Sequence, residues 1–200
     1  MLVYMKKFRR IEQDWLWSAD RLALAMGEYT NNTSLVLAFE LGKGGKVLLF
    51  AADAQRGNWA SWANADFPDG EERVDVRELL GRAVLYKVGH HGSHNATLHG
   101  RTTDDYPNLA WLGRNKSAGE FFAMIPAVRK WATLPHVGWD HPLPSIKLAL
   151  VEKCGGRVLQ TDTDIDVMTT QGGVGERAWT SFLGRVTGTA LYFDVRIEAD

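Results

Sequence analysis

The pattern that most constrains this sequence is an apolar strand that runs directly into a cluster of histidines. Residues 83–88 read Ala-Val-Leu-Tyr-Lys-Val, which predicts a buried strand. The pattern stops at Gly89, and four of the chain's six histidines follow: His90, His91, His94 and His99. Imidazole is a common metal ligand and a usable general acid or base near pH 7. The pattern therefore predicts a functional site at this strand end, against the alternative of a polar surface loop.

Composition places the chain among ordinary globular proteins. Its 200 residues are 45% hydrophobic with a formal net charge of -1. This predicts one domain over residues 1–200. The near-zero net charge argues against a global attraction to nucleic acid or to an acidic membrane, but it does not exclude a local basic groove. The single cysteine, Cys154, excludes an internal disulfide and suits a reducing compartment. Because no apolar run approaches the roughly 18 residues of a membrane span and no signal-peptide pattern begins the chain, we expect a cytoplasmic protein.

Hydrophobic patterning predicts an α/β (α+β) protein in three parts. A leading helix and turn occupy residues 1–29, alternating strands and helices fill residues 30–165, and residues 166–200 form a tail with a terminal strand. Clustered glycines predict a hairpin turn at 42–45. The other predicted elements are strands at 33–41 and 46–52, a loop at 57–72, a helix at 74–82, a strand at 121–125, a short helical turn at 129–132, a helix at 145–153 and a strand at 157–162.

Two further segments place polar side chains beside predicted elements. Asp53 follows the buried strand at 46–52, where a carboxylate serves either as a helix cap or as a site residue. Its pairing with a second strand that ends in histidines favours the site. The loop at 135–144 contains His136 and His141 together with three prolines, directly before the predicted helix.

Five segments in this order resemble the C-terminal half of metallo-β-lactamase-fold hydrolases. They are NNTSLVLAFE at 31–40, KVLLFAAD at 46–53, VLYKVGHHGSHNAT at 84–97, WDHPLP at 139–144 and RVLQTD at 157–162. The likeness is strongest to the soluble nuclease-like domain of ComEC-type DNA-uptake proteins, and it covers about residues 30–165. It implies one half of an αββα sandwich, in which a mixed sheet is flanked by helices.

The resemblance also implies roles for individual residues. Asp53 matches the carboxylate that bridges two divalent metal ions, zinc or alternatively manganese. One of His90 and His91 matches a metal ligand, and the other would support it or contact the substrate. His141 matches an active-site histidine, and Asn31 or Asn32 falls where many relatives carry a metal-binding histidine. The candidate catalytic residues are His91, His141 and Asp53, and the candidate substrate-binding residues are Ser93, Asn95 and Asn32.

The sequence departs from this family in one respect. The family signature His-x-His-x-Asp-His is absent, and no histidine precedes His90. Asp53 and one histidine would leave two metals under-coordinated, because zinc sites use three or four protein ligands. We therefore expect the C-terminal part of a longer metal-dependent hydrolase, in which the missing N-terminal half completes the site. The alternatives are one half of a split enzyme, which a complementary chain completes, and a degenerate scaffold without activity.

The sequence is compatible with three functional interpretations. The first is metal-assisted hydrolysis of a phosphodiester, in a nucleic acid or a small molecule. The second is a non-catalytic interaction module whose partner surface is the tryptophan-rich segment with Trp59 and Trp62, near Asn58 and Asn64. The third is a mononuclear zinc site formed from His90, His91, His94 and His141. The oligomeric state is not predicted.

Overall fold

A computed structural model describes residues 33–69, 71–97, 108–115, 118–163, 175–189 and 192–199. The chain divides into two units, Met1–Ser34 and Leu35–Asp200. The predicted leading helix, together with Asn31 and Asn32, lies outside the described residues. Every element below belongs to the second unit.

A five-stranded mixed sheet with the order β1-β2-β5-β6-β7 forms the centre of the second unit. The strands are β1 (Leu37–Leu41), β2 (Lys46–Phe50), β3 (Asp66–Asp69), β4 (Glu72–Asp75), β5 (Ala83–Lys87), β6 (Phe122–Ile125), β7 (Val158–Gln160), β8 (Val186–Gly188) and β9 (Phe193–Val195). Strand β1 is antiparallel to β2, and β2, β5, β6 and β7 are mutually parallel neighbours. The predicted α/β class with a mixed sheet is confirmed.

Helices connect the parallel strands. They are α1 (Arg56–Ser61), α2 (Val76–Gly81), α3 (Asn108–Trp111), α4 (Arg129–Ala132) and α5 (Pro144–Lys153), and a further helix, α6 (Glu176–Leu183), follows β7. Because β2, β5, β6 and β7 run in the same direction, their carboxyl ends lie at one edge of the sheet, and crossover connections join each strand to the next. Within the described ranges, no helix is long and apolar enough to cross a membrane.

The parallel strands β2, β5, β6 and β7 are largely buried, as the nearly continuous apolar character of residues 46–52 predicts for β2, whereas the edge strand β1 is mostly exposed. Tyr86 contributes to a large core together with Trp59 from α1 and Leu150 from α5. The neighbouring Leu85 faces a second cluster, which contains Phe182 from α6. Adjacent strand residues therefore point to opposite cores, and the C-terminal elements α6 and β8 cover the second face.

The predicted hairpin turn at 42–45 is confirmed, because β1 and β2 pair across it. The segment 57–72, predicted as a loop, instead contains most of α1, strand β3 and the first residue of β4. Helix α1 has only six residues, so it is too short to show a helical period in the sequence. It is held by a capping box between Gln55 and Asn58 and by the burial of Trp59.

Cys154 provides a chemical test of this core. The thiol is fully buried after α5, and burial raises its pKa to about 12. Because the thiolate is the reactive form, we expect iodoacetamide not to alkylate Cys154 in native buffer at pH 8, and to alkylate it fully in guanidinium. Mass spectrometry after timed quenching measures both rates. Rapid alkylation of the native protein would contradict the placement of Cys154.

Candidate active site

A cleft of about 620 Å³ lies at the carboxyl edge of the parallel strands. Three segments line it: the turn after β2, the loop after β5 and the loop that precedes α5. Its polar side chains include Asp53, His90, His91, Ser93, His94 and His141. Of the residues that the sequence predicted for the site and that the structure describes, all but Asn95 line this cleft.

Backbone hydrogen bonds tie these three segments together. The amide of His90 donates to the carbonyl of Ala52 over 2.9 Å, which joins the β5 loop to the turn that carries Asp53. The amide of Leu143 donates to the carbonyl of Gly92 over 2.8 Å, which joins the β5 loop to the loop that carries His141. The positions of the candidate catalytic residues are therefore coupled through the main chain.

Two glycines permit this close approach. A Cβ atom on Gly89 would lie 2.8 Å from the carbonyl oxygen of Ala52 and 3.2 Å from the Cβ of Ala51. A Cβ atom on Gly92 would lie 3.0 Å from the Cβ of Pro142, and Gly92 has a φ of +71°. Side chains at these positions would force the three segments apart.

Backbone strain is concentrated at the same junction. Ala52, His90 and His91 are the non-glycine residues of the described segments that have positive φ values, of 45°, 45° and 54°. Such conformations cost on the order of 1–3 kcal/mol each and persist where the surroundings enforce them, often at functional sites. All three flank or form the cleft. The strain therefore favours the functional interpretation of the histidine loop over that of an ordinary surface loop.

His91 is oriented in the manner of a metal-binding or proton-transferring histidine. Its Nδ1 lies 2.8 Å from the carbonyl oxygen of Pro126, which follows β6. A carbonyl oxygen only accepts hydrogen bonds, so Nδ1 carries the hydrogen and Nε2 keeps its lone pair. A backbone carbonyl behind the imidazole is the arrangement that commonly fixes a ligand histidine.

The imidazole of His90 is held by Ser93 and Asn95, which lie three and five positions after it. Its Nδ1 lies 2.9 Å from Ser93 Oγ and 3.0 Å from Asn95 Oδ1, and Ser93 Oγ donates to Asn95 Oδ1 over 3.1 Å. With the serine hydrogen directed to Asn95, Nδ1 is the donor and Nε2 keeps its lone pair. Ser93 and Asn95, predicted to bind substrate, are thus found supporting His90.

His141 stacks on His91, with ring centroids 5.5 Å apart. Partial burial lowers the pKa of His141, the neighbouring imidazoles of His91 and His90 lower it further, and Asp140 acts in the opposite direction. Arg129 holds the loop on both sides of His141. Its guanidinium donates to the carbonyl of Pro142 over 2.7 Å and to Asp140 over 3.1 Å.

Asp53 is exposed in the turn after β2 and lines the cleft. It does not cap α1, because the N-cap residue of that helix is Gln55. Among the described hydrogen bonds and ion pairs, none uses the Asp53 carboxylate. The role of a helix cap is therefore not the one observed, and that of a site residue stays a prediction.

Trp59 does not belong to an exposed partner surface. Its side chain is fully buried, and its indole N–H donates to the carbonyl of Ala96 over 2.9 Å. Trp62 is half-buried against it, with ring centroids 4.7 Å apart. Trp59 therefore supports the far end of the histidine loop from within the core, and the surface inferred from the sequence is not formed by this residue.

The cleft contains side chains of the kinds that bind a divalent metal ion, but too few of the described ones are grouped closely enough to hold it. A carboxylate and imidazoles with free Nε2 atoms are suitable ligands for zinc. Within the part of the chain that the structure describes, however, no three histidine, cysteine, aspartate or glutamate side chains are grouped closely enough to hold one ion. The dinuclear centre and the mononuclear zinc site considered from the sequence therefore stay predictions.

The structure also adds residues that the sequence did not single out. Arg129 reaches the site from α4, and Trp139 and Asp140 line it or border it beside His141. The only sequence signal for Trp139 and Asp140 was their place next to a candidate histidine. The hydrogen bond from Arg129 to Pro142 joins two separate segments, and no sequence pattern indicated it.

No protein-family model, no curated protein and no solved structure matches this chain. The class of site is therefore defined by the cleft itself: a histidine- and aspartate-lined pocket at the carboxyl edge of a mixed α/β sheet.

Proposed function

We propose that this chain contributes one side of the active site of a metal-dependent hydrolase that acts on phosphodiesters. The observation that carries the proposal is the convergence of Asp53, His90, His91 and His141 in one cleft, at the ends of segments that hydrogen-bond to one another. The strained backbone of this junction and the carbonyl behind His91 are further support.

Each residue of the cleft has a separate role in this proposal. Asp53 and the Nε2 atoms of His90 and His91 are offered to zinc or manganese ions, and His141 binds the phosphoryl group of the substrate. Bound divalent ions would supply an activated water and stabilise negative charge on the phosphoryl oxygens. The ligands still required come from a further segment or a complementary chain, since the described residues do not provide them.

This assignment extends to the fold. We propose that the sheet and its helices are one half of an αββα sandwich of the metallo-β-lactamase type. In support, a carboxylate follows one parallel strand and histidines follow its neighbour, as the sequence resemblance implies. The likeness to the ComEC-type branch makes a phosphodiester the first substrate to test.

The test is hydrolysis of bis(p-nitrophenyl) phosphate with added zinc or manganese. We expect slow metal-dependent hydrolysis by the wild-type chain, because it carries only part of the ligand set, and a further loss of about 100-fold in Asp53→Ala, because the carboxylate proposed to bind the metal is removed. His136→Ala, which removes an exposed histidine outside the cleft, is the matched control and should retain activity. Hydrolysis that survives Asp53→Ala would contradict the role assigned to this residue.

A second candidate is a scaffold without catalysis. It is favoured by the absence of three grouped metal-ligating side chains in the described segments. Zinc titration beside the same assay separates the two candidates: a folded wild-type chain that neither binds zinc nor gives hydrolysis at any metal concentration supports the scaffold.

A further inference from the structure

Four aromatic rings form a continuous line from the histidines of the cleft to the protein surface. His91 and His141 have centroids 5.5 Å apart, His141 and Trp139 5.4 Å, and Trp139 and Trp131 5.2 Å. The two tryptophans at the outer end are 53% and 48% exposed. Their exposed surface is therefore available to a ligand that also reaches the histidines.

Cations lie next to this aromatic surface. Helix α4 has the sequence Arg-Lys-Trp-Ala, so Arg129 and Lys130 directly precede Trp131. Lys130 is exposed, whereas Arg129 is bonded to the loop that contains Trp139 and His141 and is paired there with Asp140. Aromatic faces beside cations are the combination that binds single-stranded nucleic acids, because bases stack on the rings while phosphates meet the positive charges.

We propose that Trp131 and Trp139 form a stacking platform for a nucleobase, so that the substrate is a nucleotidyl phosphodiester. This inference rests on the proposed hydrolase function and names its substrate class. A base stacked on Trp139 lies beside His141, and its attached phosphate is then within reach of the histidines of the cleft. The platform selects substrates by their bases, whereas the histidines contact the phosphate that all such substrates share.

The test is a comparison of two ligands by isothermal titration calorimetry in EDTA, where no turnover occurs. One ligand is tetrathymidylate, and the other is an abasic tetramer with the same phosphates. We expect the wild-type chain to bind tetrathymidylate about tenfold more tightly than the abasic tetramer. Trp139→Ala and Trp131→Ala should each lose most of this preference, while Trp139→Phe, which keeps an aromatic ring, should retain much of it.

The matched control is Tyr192→Ala, which removes a ring that is equally exposed, 53%, and does not line the cleft. It should leave the preference unchanged, and thermal melting checks that every variant is folded. Equal binding of both ligands, or a preference that survives both tryptophan variants, would overturn the platform. Hydrolysis of bis(p-nitrophenyl) phosphate with no base preference refutes the platform alone. A base preference without metal-dependent hydrolysis refutes the proposed hydrolase instead.

Discussion

Replacing His91 with alanine is expected to lower the affinity of the protein for zinc by about 100-fold without a loss of fold stability. The imidazole presents a free Nε2 to the cleft because its Nδ1 donates to the carbonyl of Pro126. Loss of a residue that supports a ligand already lowers metal affinity by roughly 10- to 100-fold, so loss of a ligand should reach the upper end of that range. Competition titration with a chromophoric chelator measures the change.

The exposed side chain of His91 makes this variant informative, because its removal leaves no cavity in the core. His136→Ala is the matched control, since it removes an imidazole that does not line the cleft. Equal losses in the two variants would mean that zinc binds to exposed histidines in general, and the assignment of His91 would be wrong.

Replacing Gly89 with alanine is expected to damage both stability and activity, although it adds only one methyl group. That methyl carbon would lie 2.8 Å from the carbonyl oxygen of Ala52 and 3.2 Å from the Cβ of Ala51. Overpacking of this kind costs about 1–3 kcal/mol in the free energy of unfolding. Because the same contact sets the separation of Asp53 and His90, hydrolysis should fall by up to about 100-fold. Urea denaturation and the phosphodiesterase assay measure the two effects.

Gly57→Ala is the control for this substitution. Gly57 lies in α1, and a Cβ atom there would meet no atom within 4 Å. Alanine at this helical position should raise the free energy of unfolding by about 0.5–1 kcal/mol and leave hydrolysis unchanged. If Gly89→Ala behaves like Gly57→Ala, the close approach of the two segments is not as described.

The sequence predicted the parts of the site that depend on strand patterning. The apolar runs before Asp53 and Gly89 predicted two buried strands, and parallel pairing of β2 and β5 places both ends at one edge. A carboxylate and the histidines therefore met in one cleft, as expected. The class of fold and the hairpin at 42–45 followed from the same patterns.

The sequence did not predict the conformation of the histidine loop. On extended backbone, neighbouring side chains such as those of His90 and His91 would point to opposite faces. Both residues instead adopt left-handed backbone conformations, and both imidazoles line the cleft. Local propensity does not favour this conformation outside glycine, so it follows from tertiary hydrogen bonds such as that between His90 and Ala52.

Long-range contacts explain the other differences. Trp59 lies in a segment whose polar neighbours suggested an exposed loop, yet its indole is buried and bonded to Ala96. Arg129 supports the loop around His141 from a different element. Neither contact leaves a periodic pattern in the sequence, because each depends on two segments that meet only in the folded chain.

The measurement that tests the central claim most directly is the metal content of the purified chain, determined by plasma mass spectrometry for the wild type and for Asp53→Ala. If Asp53 and the histidine loop form one side of a metal site, the wild type carries zinc or manganese that decreases in the variant. Metal at background level in both proteins, or equal metal in both, would contradict the account.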